Sequence, residues 1–225
     1  MAEKIGAEII GDKMFGHIGA DVIEGARPDF GGAIYYGSHP VIYVNMDGKR
    51  FVNEDKNKYV IYHDLLKQPN QTGWGIVDSN NVNIEPLKNS TSSHVVHADT
   101  LEELAELIDI NPEALIKTVT NYNEDVKKGV DTEFNVSADR LDVIDQAPYY
   151  AYTINPITFS SMVGVKVDGD CRVLNKDGQV IKNLFAAGDM VLGGNITSYY
   201  FDARGVGTAM YTGTICGQVI KEEMK

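Results

Sequence analysis

The sequence predicts a mixed fold: α+β through its first two thirds and α/β in its last third. Three observations carry this. Amphipathic helical periodicity is strongest over residues 99–128, and a final helix runs to about 223. Short β-rich runs punctuated by Asp-Gly turns flank the helical middle. A glycine-rich stretch, 193–205, leads into the final helix.

In chain order, residues 2–10 read as a helix with Ile5, Ile9 and Ile10 on one side and Gly11 as its stop. An irregular stretch with Gly16, Gly19, Gly25, Gly31 and Gly32 follows, more like the middle of a domain than its start. Val41–Asn45 is a strand, Asp47-Gly48 a tight turn, and Arg50–Glu54 a returning strand. Residues 58–67 lean towards a helix, and Gly73–Asp78 is a buried strand.

Asp99 with Glu102 makes a capping box for a helix whose stripe is Leu101, Leu104, Ala105 and Ile108. Asn111-Pro112 starts the next, with Leu115, Ile116, Val119, Tyr122 and Val126 on one face. Lys127, Lys128 and Gly129 close it, cations at the negative end of the dipole and glycine at the cap. Val163–Asp168 is a strand, Asn175–Gly178 the turn of a hairpin, and Leu184–Gly188 a short buried strand.

The chain has 225 residues, 43% of them hydrophobic, enough for one large or two small cores. Its net charge of −12 repels phosphate backbones and anionic lipid, so neither nucleic acid nor membrane is an expected partner. An anionic substrate would need a local cationic pocket. No apolar run approaches the ~18 residues of a membrane span, and the first residues lack a secretory h-region. Cys171 and Cys216 have no metal-ligand spacing and read as reduced thiols of a cytoplasmic protein. His94-Val-Val-His97 lacks a third ligand, so no metal is expected. The tyrosines at 149, 150 and 152 read as packing.

Several stretches, in order, resemble one family. Asp47-Gly-Lys-Arg-Phe-Val-Asn-Glu54 resembles the GKRFxNE signature of the fumarate reductase/flavocytochrome c-like FAD-dependent oxidoreductases. His97–Glu106 and the helix from Asn111 are similar to that family's capping domain. Leu184-Phe-Ala-Ala-Gly-Asp189 and Gly205-Val-Gly-Thr-Ala209 resemble its carboxyl-terminal flavin-contacting region, and some features resemble 3-ketosteroid dehydrogenases. The resemblance implies the carboxyl-terminal part of an FAD-binding domain with an inserted α+β substrate-capping domain. Residues 1–34 would be a connector or remnant of the FAD-binding domain, 35–145 the cap, and 146–225 the carboxyl-terminal part of the FAD-binding domain.

The implied cofactor is FAD and the implied reaction is reduction, or dehydrogenation, of the activated C=C bond of a small-molecule unsaturated carboxylate or enone. Asp189, beside Gly188, matches an acid that meets the ribityl chain, and Gly205, Val206 and Thr208 match positions whose N–H groups meet the isoalloxazine. Where fumarate reductases carry a catalytic arginine, eight residues after the arginine of GKRF, this chain has Lys58, with Tyr59 adjacent. Arg50 itself reads as an anchor of the cap.

A substrate-binding histidine becomes Ser160, in a stretch that continues with Ser161 and Met162. A carboxylate-binding arginine aligns with Tyr200, or Tyr199 after moving a gap, and Arg204 could supply a cation or pair with Asp202. These departures favour a less charged enone or aryl-acrylate over fumarate. The family's GxGxxG loop, which grips the FAD pyrophosphate, is not found. The chain then reads as a fragment, a split-gene product or a truncated form, with weak or absent FAD binding by itself. It would be complemented by the missing amino-terminal FAD-binding segment or a second subunit. The alternative is a non-catalytic cap fragment that binds no FAD.

Overall fold

A computed structural model describes residues 1–11, 14–19, 39–161, 163–191 and 204–224, with the side chains of 14–17, 58, 158–161 and 204 left out. The chain divides into two compact units, Met1–Phe15 with Thr158–Lys225, and Gly16–Ile157. Both crossings fall inside strands, β2 (Met14–Gly19) and β6 (Tyr149–Ser161).

The larger unit, Gly16–Ile157, is built on one sheet. Its order is β2-β6-β4-β3, with β4 spanning Gly73–Val77 and β3 Ile42–Asn45. Strand β5 (Val95–Ala98) pairs with β6 as well. The measured ladders are antiparallel: Ile42 faces Ile76, Ile76 faces Ala151, and Val96 faces Ala151.

Period-two alternation splits the apolar residues between two faces. One face buries Tyr43, Val77, Tyr150, Tyr152 and Ile154 against helix α1 (Lys58–Leu65) and short helix α2 (Glu85–Lys88), through Ile61, Leu65 and Leu87. The other buries Ile42, Val44, Ile76 and Ala151 against α3 (Leu101–Leu107) and α4 (Pro112–Lys128), through Leu104, Ala105, Leu115, Val119 and Tyr122.

The helix ends follow the sequence logic with one shift. Asn111 caps α4 by accepting from the Ala114 N–H, and Gly129 closes it at φ 74°. The cap of α3 is Thr100, accepting from the Glu103 N–H, one residue after the expected Asp99. Gly48 turns at φ 73° under α4, where a Cβ would lie 2.9 Å from Ile110.

Arg50–Glu54 does not return as a strand; only Arg50 bridges Val44. The Glu54 carboxylate accepts the Tyr43 N–H that a neighbouring strand would otherwise satisfy. Asn45 Oδ1 takes the N–H groups of Asp47 and Lys49 in the same way.

In the smaller unit the expected helix over 2–10 is a single 3-10 turn, Ala2–Ile5, ended by Gly6 at φ 93°. Strand β1 (Ile9–Ile10) follows and pairs with β7 (Gly164–Val165). The expected strand 163–168 is thus two residues long plus a bridge from Val167 to Val173. Strands β8 (Arg172–Leu174) and β9 (Val180–Phe185) form the hairpin, turning at Gly178 with φ 77°. Of Leu184–Gly188, expected as a separate buried strand, only Leu184 and Phe185 are in a strand, the half-buried end of β9, and Gly188 opens a 3-10 turn over Gly188–Val191. Helix α5 (Arg204–Glu223) completes the unit. Ala7, Val165 and Val173 form a small core, joined by half-buried Val167, Ile181 and Leu184.

Candidate functional site

In the larger unit the chemistry-bearing segment is the turn Arg50–Asn57 that leads into α1. The Arg50 side chain is buried and faces two carboxylates. Its Nε and Nη2 donate to the two oxygens of Glu54 at 3.1 and 2.7 Å. Nη1 and Nη2 donate to the two oxygens of Asp131 at 2.9 and 3.0 Å. The guanidinium also lies 5.0 Å from the Tyr122 ring centre and 4.9 Å from that of Phe134. Arg50 is thus the anchor that its place in the motif suggested.

One cation between two acids leaves a surplus negative charge. Asp131 also accepts the N–H groups of Phe134 and Val136, and with Arg50 these hold its carboxyl below the usual range against the opposing effect of burial. Burial pushes the Glu54 carboxyl up despite Arg50.

Beyond Arg50, Asn53 Nδ2 donates to the carbonyls of Phe134 and Asn135, and its Oδ1 accepts the Asp55 N–H at 2.8 Å. Asn57 Oδ1 then accepts the Tyr59 N–H and caps α1, so Lys58 is the first helical residue. Tyr59 is buried at 7% exposure, and the Lys58 side chain lies outside the described residues.

A second cluster abuts the same turn. His39 Nε2 lies 3.0 Å from Arg140 Nη1, and Asp55 Oδ1 lies 3.2 Å from that nitrogen and 3.5 Å from His39 Nε2. Nothing local in the sequence announces either cluster: Asp131 and Arg140 lie 81 and 85 residues beyond their partners.

In the smaller unit, Gly188 follows β9 at φ 65°, and its N–H donates to Thr212 Oγ1 at 2.9 Å. That hydroxyl donates onward to the Thr208 carbonyl at 2.6 Å, so one threonine joins the Gly188 turn to α5. Asp189 is exposed. At the start of α5, Gly205 is half-buried, Val206 is exposed and Thr208 is buried. Gly207 has open space where a Cβ would be. Gly207 and Thr208 border a cleft of about 550 Å³ with Cys171, Val191, Tyr211 and Thr212.

The N–H groups of a first helical turn have no intrahelical acceptor. These donors, and the exposed Asp189 on the turn after β9, are groups that suit the isoalloxazine and ribityl end of FAD. Among the described residues no glycine-rich strand–turn–helix is present to suit its pyrophosphate. Ser160 and Ser161 close β6 with side chains undescribed, as is that of Arg204, the first residue of α5. Met162, Tyr199 and Tyr200 lie outside the described residues.

The architecture is that of FAD-dependent oxidoreductases. A 3-ketosteroid Δ1-dehydrogenase from Sterolibacterium denitrificans superposes with a TM-score of 0.81 over 99% of this chain and 46% of its own, at 23% identity. The open conformation of a flavocytochrome c3 fumarate reductase gives 0.66 over 96% of this chain and 38% of its own, at 28% identity. A family model described as an FAD binding domain matches residues 21–200, and the chain belongs to that family, whose cofactor is FAD. NADH:acrylate oxidoreductase of Vibrio harveyi is 36% identical over 159 residues, 68% of this chain and 16% of that protein. The chain therefore spans less than half the length of each of these proteins.

Proposed function

We propose that this chain is the substrate-capping and isoalloxazine-facing part of an FAD-dependent oxidoreductase that reduces, or dehydrogenates, the activated C=C bond of an unsaturated carboxylate or enone. The larger unit is the cap and the smaller one the flavin-facing part. The observation that carries the reading is the Arg50-anchored turn, which places Lys58 and Tyr59 at the head of α1 within a chain of this family. The similarity to an acrylate oxidoreductase and a fumarate reductase supports it.

When bound, FAD supplies hydride chemistry. The chain's own part is to hold and protonate the substrate. Lys58 is the leading proton donor, with Tyr59, Tyr199 and Tyr200 as alternatives. Ser160, Ser161 and Met162 contact the substrate, and Arg204 offsets its charge. Asp189 would accept from a ribityl hydroxyl of the cofactor, and the N–H groups of Gly205, Val206 and Thr208 would hold its isoalloxazine end. The pyrophosphate is gripped by a further segment or subunit. Two free cysteines suit a cytoplasmic setting.

Coexpression with the amino-terminal FAD-binding segment of a relative, then anaerobic assay of acrylate, aryl-acrylate and enone reduction with a reduced dye, tests this. A yellow complex that turns over is expected, slowed at least ~10²-fold by Lys58→Ala. A yellow complex whose flavin is reduced by the dye yet turns over none of the three contradicts it. A second reading, a non-catalytic cap fragment that binds no flavin, is favoured by the lack of a GxGxxG motif in the sequence.

A further inference from the structure

The second cluster beside the catalytic turn has a chemistry of its own. His39 precedes β3, Asp55 lies in the turn before α1, and Arg140 ends a 3-10 turn over Ala138–Arg140. The three side chains meet within 3.0–3.5 Å. His39 and Asp55 are mostly buried, at 19% and 18% exposure, while Arg140 is open at 42%.

A guanidinium has five donors and no acceptor. The Arg140 Nη1 at 3.0 Å from His39 Nε2 therefore requires that Nε2 carry a lone pair. His39 is then neutral, with its proton on Nδ1. Burial favours that state most, and Arg140 adds to it, while Asp55, Asp139 and Asp142 pull towards the charged ring. The second Asp55 oxygen, Oδ2, is buried with no hydrogen-bond donor.

A proton added at Nε2 reverses the contact. Two cationic donors would then face each other at 3.0 Å, while Asp55 Oδ1, 3.5 Å from Nε2, and the unfilled Oδ2 offer acceptors. One proton thus exchanges Arg140 for His39 as the partner of Asp55. Asp55 lies two residues before Asn57, the cap that sets the first turn of α1.

We infer that His39, Asp55 and Arg140 are positioning residues, whose partner exchange on protonation resets the turn delivering Lys58 and Tyr59. The link to catalysis rests on the reading that Lys58 or Tyr59 is the proton donor; the exchange itself does not. A reductase of this kind consumes a proton each turnover, so a protonation-dependent turn beside its donor ties the donor's placement to proton supply.

Long-range ¹H–¹⁵N NMR of the histidine rings in the isolated chain, with His39 assigned by His39→Gln, reads the exchange directly. His39 is expected as the Nδ1–H tautomer at neutral pH, titrating below 6.5. Arg140→Met should raise that midpoint and Asp55→Asn lower it, each by roughly half a pH unit or more. Arg140→Lys, which keeps a charged donor, should restore the parent tautomer. The amides of Asn57, Lys58 and Tyr59 should move with the His39 midpoint.

An Nε2–H tautomer, shifts of the same sign, or still amides at 57–59 would overturn the inference, with no flavin or turnover involved. In the assembled enzyme, the acidic limb of the kcat profile should move upward in pH with Arg140→Met. A limb that stays put while the ring titration shifts would overturn the positioning role and leave the proposed reaction standing.

Discussion

Arg50 sits between two carboxylates and two aromatic rings, so its loss strands two buried acids. Arg50→Met is expected to destabilise the larger unit by about 3–5 kcal/mol in urea denaturation. Asp131→Asn in that background should recover part of the loss by removing one unpaired charge. Wild-type stability in Arg50→Met would show that the network carries no weight. A smaller effect follows from His39. Its folded pKa is held below 6.5, so the unfolded chain binds the proton first as pH falls. Stability should therefore fall as pH drops from about 6.5 towards the folded value, then level off, and His39→Gln should flatten that slope. At this scale the sequence was half legible. The motif marked Arg50 as an anchor, but Asp131 and Arg140 are brought in by folding from beyond α4, with no periodicity to announce them.

Among elements, the helices with a clear apolar stripe and a good cap were legible. Asn111-Pro112 to Gly129 folds as its residues dictate, and Asn111→Ala should cost about 1 kcal/mol. Segments whose side chains satisfy the backbone locally were not. Glu54 takes the Tyr43 N–H that a strand pairing of Arg50–Glu54 would use, Asn45 takes those of Asp47 and Lys49 in the turn before it, and Gly6 stops the expected amino-terminal helix after one turn. Strand β4 holds a tighter constraint. A Cβ on Gly75 would lie 2.1 Å from the Tyr152 ring on the neighbouring strand. Gly75→Ala should destabilise by about 1–3 kcal/mol, and by less when Tyr152→Leu removes the ring. Equal penalties in both backgrounds would show that the ring is not the obstacle.

At the scale of the whole molecule, the units differ in how much they bury. Among the described residues, the larger has apolar clusters on both faces of its sheet; the smaller gathers Ala7, Val165 and Val173 into one cluster and exposes Val206, Met210 and Tyr211 along α5. Amides of α5 should exchange with solvent well before those of β3, β4 and β6. No helix among the described residues is long and apolar enough to cross a membrane. The family was legible because it lies in short motifs. The substrate was not, because Met162, Tyr199 and Tyr200 lie where motif identity breaks down.

On the proposed function, this chain faces the isoalloxazine and another segment grips the pyrophosphate. Titrating the purified chain with FAD and with riboflavin, following flavin fluorescence, tests it most directly. Weak binding of both, within about threefold of each other, is expected, because a pyrophosphate and adenosine left without a grip add less than ~1 kcal/mol. FAD bound a hundredfold or more tighter than riboflavin, or binding of neither, would contradict it.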